Sequence, residues 1–578
     1  MLKPALAAFV LSGVAGLAVA PSRGVAEDSA PKRRGAVEVV ASKPTTETAA
    51  ALAAAAELVA AGDPFFGRFF ARGWPTTPEI KAATVGGAAR ASRAALGKYL
   101  LGAPPAVPLA RSPYTRLELL RLRQELPAGA PESAEALIAA RLRLYARAAG
   151  LGEPSRRAPA VPLFPAETAA APGDGGGGGA TTPVAIDLEA IGAALVAEVR
   201  WAERLLVRRG PPGTPGGDLL GETPTDGFDG LLYLTLAVAQ LASLKHQAAF
   251  DGKALGPVPV GDYDPYDAPR WFPHRLGVKG FGPEGTPDLI VLDPESRLAD
   301  QAWLLLGAAE LAALAGPGRG DAAPPVFGPL RVGDVRDEVF PQTTHVLARD
   351  VARFVFQNLA ALHFDATPGR PTLVSEAGPG GRGTRLATAD AALALVALEA
   401  AARIFSEDTR LKGEVRKLIY AQATFLADRQ REDGSFPAEF QLAAKPEGAG
   451  GGAAGAASPA ASARAQALAV RGLLAAFRAS EEERFKAAAL EAASFLERRC
   501  YDPWAALYLD AVEPAAGAPV AIGARDAAAL LGALREVATD LGSIEALYRY
   551  RDLWRTLVGL GVVAPDGDLA EVEVKVGR

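Results

Sequence analysis

The chain of 578 residues has one cysteine, Cys500, and only four histidines. A single thiol excludes an internal disulfide framework, a zinc cage of several thiolates and haem attachment through a CxxCH motif. No two of the histidines, His246, His274, His345 and His363, stand at the i, i+4 spacing of a helical metal pair, so no metal site is expected from them. An excess of one charge is lacking too. Lys and Arg number 61 against 66 Asp and Glu, a net charge of −5, which excludes a nucleic-acid binder working by bulk electrostatics. Beyond the N-terminus no stretch stays free of charge long enough to cross a bilayer. What remains is a core-bearing globular composition, 49% hydrophobic and 22% charged, over a length that predicts two or more units.

Lys3 is followed by an apolar run from Ala5 to Ala20, then by Gly24-Val25-Ala26 and the polar Glu27-Asp28. A basic start, a short apolar core and small residues make a secretory signal. Residues 1–26 are therefore expected to be a signal peptide, because cleavage after Ala20 would leave Pro21 first. The alternative is an uncleaved anchor, for which the run is slightly short of the ~20 apolar residues a spanning helix needs. The expected location is outside the cytoplasm, periplasmic or secreted, with no membrane span after cleavage. An exported chain with one cysteine must be held by its core.

Residues 27–63 are rich in Ala, Thr, Lys and Pro and predict a flexible, mostly solvated lead-in with a weak helix near 46–62. Residues 64–151 predict a small helical region, with apolar residues at helical spacing over 115–124 and 132–149. Residues 152–185 are a Pro/Gly-rich linker. Its run Gly175 to Gly179 is not followed by Gly-Lys-Ser/Thr, so it is not a phosphate cradle. From 186 to 578 the spacing predicts long helices at 187–210, 227–247, 298–316, 343–364, 387–406, 411–430, 460–479, 482–500, 522–538 and 543–561. Strand alternation is confined to Leu289-Ile290-Val291-Leu292 and the tail from Glu571 to Val576. A Gly/Ala-rich segment at 445–461 predicts a mobile loop.

Four of these helices open with a polar residue running into small and apolar ones: Ala299-Asp300-Gln301-Ala302-Trp303, Ala389-Asp390-Ala391, Ala465-Gln466-Ala467 and Arg525-Asp526-Ala527. Each is followed by a second helix that ends in a turn built around Asp365, Asp433, Asp502 or Asp566. Repeated helix pairs that cannot bury a face alone stack on their neighbours. The Ala-rich members are apolar nearly all round and should lie inside, with charged partners such as the helix carrying Lys412, Glu414, Arg416 and Lys417 outside. The expected fold is all-α: an (α/α) helical-hairpin toroid of five or six pairs over 186–578. An open solenoid is the alternative.

Phe425-Leu426, Gln430 and Asp433-Gly434-Ser435-Phe436 resemble the QW-type repeat of terpenoid-cyclase toroids, with Phe in the tryptophan position. Phe495-Leu496 with Asp502-Pro503-Trp504 is a degenerate copy. The helix-pair pattern is also similar to the six-hairpin glycosidase and sugar-epimerase-like toroids. The cyclase motif Asp-x-Asp-Asp is absent, and the paired histidines of an epimerase are not found. The resemblance therefore implies the six-hairpin class: a carbohydrate-active or carbohydrate-binding protein and, if an enzyme, a glycoside hydrolase-like one with carboxylate acid and base.

In such a ring the starts of the inner helices converge on one mouth. Asp300, Asp390 and Asp526 hold equivalent positions there and are the candidate catalytic residues, as acid, base or nucleophile on a glycosidic bond. The alternative is stabilisation of helix starts, where a carboxylate meets free N–H groups. The long insertion 248–297 supplies candidate substrate-binding residues Tyr263, Tyr266, Arg270, Trp271 and His274, joined by Trp303: aromatic faces for sugar C–H faces, charged groups for hydroxyls. Asp262, Asp264 and Asp267 could instead hold Ca²⁺, though not at EF-hand spacing, and the loop could simply pack its aromatics on the helical body. His246 and His363 sit in helix C-terminal turns, where a cation is favoured. Cys500 beside Arg498 and Arg499 could have a lowered thiol pKa. The glycine-rich loop from Gly378 to Arg385 predicts a hairpin leading to Thr388 as N-cap. Two functions stand open: an exported toroid binding or acting on carbohydrate, and a non-catalytic envelope scaffold for a protein partner.

Overall fold

The computed structural model describes residues 37–62, 87–101, 184–206, 226–261, 263–281, 287–316, 331–332, 342–367, 371–442, 462–510, 519–564 and 566–576. The expected signal peptide, the helices at 115–124 and 132–149, nearly all of the 152–185 linker and the 445–461 loop lie outside the described residues. No helix among the described residues is long and apolar enough to cross a membrane.

Among the described residues, twelve α-helices alternate between two layers. In chain order they are α1 (Thr48–Ala61), α2 (Ala89–Leu96), α3 (Leu188–Leu206), α4 (Asp226–Gln247), α5 (Leu298–Leu314), α6 (Thr344–Asn358), α7 (Thr388–Ile404), α8 (Thr409–Ala427), α9 (Ala463–Ser480), α10 (Glu483–Phe495), α11 (Ala524–Asp540) and α12 (Ile544–Leu560). The odd-numbered helices form a closed inner ring. Each packs on the next, α1 on α3, α3 on α5 and so on to α11, and α11 packs back on α1. The even-numbered helices lie outside, each against its odd partner. The (α/α) toroid is therefore closed and has six pairs, and the open solenoid is ruled out.

The sixth pair corrects the expected domain boundary. The supposed lead-in at 27–63 contains α1, of which thirteen residues are buried, and Ala49 to Ala61 pack into the same core as the rest of the ring. Ala on every side has no large chain to keep neighbours away, so α1 fits between α3 and α11. Six strands bear on closure and on the mouth: β1 (Val37–Pro44), β2 (Val184–Asp187), β3 (Arg275–Phe281), β4 (Pro287–Asp293), β5 (Val520–Gly523) and β6 (Ala570–Val576). β6, predicted from its alternation, lies between β1 and β5, pairing antiparallel with both, so residues 570–576 are tied to residues 37–44. The ring thus extends from residue 37 to residue 576 rather than starting at 186.

Glycine permits the closest approaches. A Cβ on Gly192 would stand 2.7 Å from Leu304 N, and one on Gly472 would stand 2.8 Å from the Ala392 backbone, so α3 meets α5 and α9 meets α7 almost backbone to backbone. The turns after the outer helices share one device. Asp433 Oδ1 accepts from Ser435 N, and Asp502 Oδ1 accepts from Trp504 N and Ala505 N. Gln430 of the QW-like segment donates to Gly434 O and to Ala488 O, tying this turn to the next outer helix.

Toward the ends of the inner helices lies a buried ion network. Arg471 on α9 donates to Glu57 on α1 and, at 2.8 Å, to Glu536 on α11. Arg478 reaches Glu536 at 3.1 Å and Asp540 at 2.5 Å. Burial opposes ionisation of Glu536, but Arg471 and Arg478 outweigh it and hold its carboxyl down at about 2. Arg200 on α3 and Glu310 on α5 form a further bidentate pair with a shortest distance of 2.6 Å.

Candidate functional site

The inner helices all start at one end of the ring. There the first-turn residues clasp the segments that lead into them. Gln301 Nε2 donates to Phe272 O, and Gln466 both accepts from Phe436 N and donates to Phe436 O. Thr388 is the first residue of α7 and not its N-cap, and its hydroxyl donates to Pro437 O. None of Asp300, Asp390 and Asp526 makes the side-chain cap of its helix.

Asp300 instead meets His274, Nδ1 to Oδ2 at 2.7 Å, while His274 Nε2 lies 3.8 Å from Asp187 Oδ2. All three residues are buried. β2 ends at Asp187, whose Oδ1 accepts from Glu189 N at 2.8 Å and thereby starts α3. The His274 backbone is fixed on both sides, with N donating to Glu295 O and O accepting from Leu188 N. Burial raises the Asp300 carboxyl to about 7, against the opposing influence of His274. Burial works to lower His274, but the hydrogen bond and charge of Asp300, with the charge of Asp187, leave it raised. Burial also raises Asp187. The cluster thus keeps its protons to higher pH than the free groups would.

Among the described residues these three are the one group of His, Cys, Asp and Glu whose ligand atoms converge, all within 4.8 Å. The three residues together offer three ligand atoms, short of the four ligands of a structural zinc site, and His274 Nδ1 is already engaged by Asp300. The geometry is that of a proton-holding pair.

The other candidate acids sit around the same mouth with different partners. Asp390 accepts from the Ser375 hydroxyl at 2.6 Å, and burial raises its carboxyl despite that bond and the nearby Arg464 and Arg525. Asp526, half-exposed, lies 3.7 Å from Arg464 Nε. Arg525 pairs with Glu189. Glu189, Arg464 and Arg525 were not singled out from sequence. Their signal was position, since each is the second residue of an inner helix. Asp187 was also missed, although an Asp immediately before a helix is a recognised N-cap signal.

Below the mouth the ring encloses a lumen. Its walls are Ala53, Glu57, Ala299, Trp303, Ala389, Asp390, Leu393, Arg464, Leu468, Arg525 and Ala529, and they leave a cavity of about 20 Å³. That volume admits one water-sized group.

The aromatic loop is placed differently from expectation. Trp271 is buried, its Nε1 donates to Pro294 O at 2.7 Å, and its ring meets Phe250 edge-on, so it packs the loop and offers no open face for a sugar. Tyr263 donates to Asn358 Oδ1 and accepts from Arg270 N, which holds the loop on α6. Arg270 also reaches Pro257 O at 3.4 Å. Tyr266 is exposed. Asp264 Oδ1 accepts from Tyr266 N, and Asp262, part of the expected calcium set, lies outside the described residues.

Three further expectations are corrected. His363 is not a cation at a helix end. Its Nδ1–H donates to Val374 O, its Nε2 accepts from Ser296, and burial pulls it down to about 4. Burial and Lys245 also lower His246. Burial, with Asp510, pushes the Cys500 thiol up to about 12, so it is no nucleophile. The Gly378 to Arg385 loop is the hairpin expected, but its Arg382 is spent on Leu362 O and Ala361 O.

No protein-family model matches the chain, and no curated protein matches it. Solved structures are similar in architecture. Cellobiose 2-epimerase from Bacillus thermoamylovorans B4167 is 11% identical over 57% of this chain and 70% of its own, with a TM-score of 0.38. A sugar epimerase from a ruminal bacterium is 10% identical over 74% of this chain and 87% of its own, at 0.36. D-mannose isomerase is 14% identical at 0.31, and this chain spans 64% of its length. That this chain is an (α/α) toroid rests on its own closed ring of helix pairs.

Proposed function

We propose that this toroid is exported and binds a carbohydrate at the mouth where its inner helices begin. The observation that carries the reading is the convergence there of Asp390, Arg464, Arg525 and Glu189, above the Trp303-lined lumen and beside the His274–Asp300 pair. Alternating carboxylates and guanidinia around an indole supply the acceptors and donors that vicinal hydroxyls need. His274 with Asp300 is the proton carrier of the site, since a paired imidazole titrating above its ordinary value can give or take a proton near neutral pH. Asp300, Asp390 and Asp526 do not act as a mutual carboxylate pair in this reading, because each has a different partner.

A scaffold reading has one observation in its favour: Trp303, Leu393 and Leu468 fill the lumen to a single water-sized gap. Thermal denaturation of the chain from Glu27 onward, with and without D-mannose, cellobiose and D-glucose, separates the two. A sugar that binds the folded state raises the midpoint by mass action, and Asp390→Asn should abolish that rise. No rise with any of the three sugars would favour the scaffold.

A further inference from the structure

The lumen holds a feature that neither the ring nor the proton-holding pair uses. Trp303 is 4% exposed, and its Nε1–H has no acceptor. Arg464 Nε, on the same cavity wall, has no hydrogen-bond acceptor either, because Asp526 at 3.7 Å is too far. A buried donor left unpaired is costly, so an acceptor entering this cavity would relieve both Trp303 and Arg464. Asp390 lines the same cavity, an acceptor with one oxygen on Ser375. Two open donors and a carboxylate around one small cavity are what one hydroxyl requires: its oxygen accepts, and its proton goes to the carboxylate.

We infer that this cavity is a subsite for a single hydroxyl group of a neutral polyol ligand. Its oxygen is held by Trp303 and Arg464, its proton is held by Asp390, and the rest of the ligand stays at the mouth. The cavity of about 20 Å³ has room for one water-sized group such as a hydroxyl. The charge balance fits as well. Arg525 is matched by Glu189 and Arg464 faces Asp526, so the seat asks for a neutral group and not an anion. This assignment rests on the carbohydrate reading of the mouth and names the group that reading would discriminate.

The test uses the full chain labelled with ¹⁵N. The Trp303 indole resonance is identified among the six tryptophans by its loss in Trp303→Phe, which keeps most of the ring volume and removes the N–H. D-mannose, cellobiose, myo-inositol and D-glucuronate are titrated in turn. The expected result is that a neutral probe binds and shifts this resonance. Trp303→Phe should weaken that probe about tenfold, a loss in the range of a single buried hydrogen bond. Arg464→Lys, which keeps the charge toward Asp526 but loses Nε, should weaken it comparably and covers the case in which Trp303→Phe does not fold. A neutral probe that binds with this resonance unmoved and both variants at full affinity would show that the cavity holds water only, and would leave the mouth reading intact. Preferential binding of D-glucuronate would overturn the neutral seat. If no probe binds, the subsite and the carbohydrate reading fall together.

Discussion

The two ends of this ring treat buried charge in opposite ways. At the far end, Arg471 and Arg478 meet Glu57, Glu536 and Asp540 in a closed set of short contacts, and Glu536 is held down at about 2. At the mouth, Asp187 and Asp300 are buried and Asp390 is half-buried, and loss of solvent raises all three. A satisfied network fixes helices against one another. An unsatisfied one keeps its protons mobile and its donors open, which is the usual condition of a functional site. The ring is clamped by paired charges at one end and holds raised carboxyls at the other.

The largest effect should come from removing residues 37–61. This takes β1 from β6 and α1 from between α3 and α11, and it leaves Arg471 without Glu57. The shortened chain should lose its cooperative thermal transition in calorimetry. A truncated ring that melts like the intact one would mean α1 is only docked.

Next is the clamp itself. Arg471→Met strands Glu57 in the core, leaves Glu536 with Arg478 alone, and should cost about 3–5 kcal/mol in chemical denaturation, the range for breaking a buried pair from one side. A loss under 1 kcal/mol would put the far end on a par with the mouth and erase the contrast. Gly472→Ala should follow at roughly 1–3 kcal/mol, because the new methyl meets backbone that can move only if α7 and α9 separate.

The contrast sharpens in the pH dependence of two histidines. His363 has a folded value of about 4 against 6.5 when free, so the unfolded chain binds the extra proton. Its stabilising contribution is therefore present above 6.5 and is lost as pH falls toward 4. His274 is raised, so its contribution is present below 6.5 and is lost as pH rises through its folded value. At pH 5 the imidazole ¹⁵N shifts should show His363 neutral and His274 protonated. The same state for both would contradict the assignment. The smallest effect is at a surface helix start, where Asp408→Ala removes the cap on Leu411 N and should cost about 1 kcal/mol.

Much of the fold was visible in the sequence. Ala-rich inner helices alternate with charged outer ones from α3 to α12, and the tail from Glu571 to Val576 alternates as a strand does. What the sequence hid was the place of α1 in the ring, since a weak helix near 46–62 was expected only within a solvated lead-in. Its run from Ala49 to Ala56 resembles low-complexity spacer until α3 and α11 are seen on either side, and Glu57 finds Arg471 414 positions away. The site was visible only in pieces. Asp300 and His274 were both singled out, but for different roles, since nothing local pairs a loop histidine with a helix-start aspartate. Trp271 drew attention as an aromatic among prolines, yet its indole N–H was already committed to Pro294. Trp303 lay in an apolar helix, and its unpaired N–H became evident only with the lumen around it.

The most direct test of the contrast is a calorimetric titration of D-mannose and cellobiose into the intact chain, Asp390→Asn and Arg471→Met. The account predicts heat of binding for one of these sugars with the intact chain and none with Asp390→Asn, whose melting temperature stays close to that of the intact chain. It also predicts retained binding in Arg471→Met below its lowered melting temperature. Binding that survives Asp390→Asn, or the absence of binding by the intact chain, would contradict it.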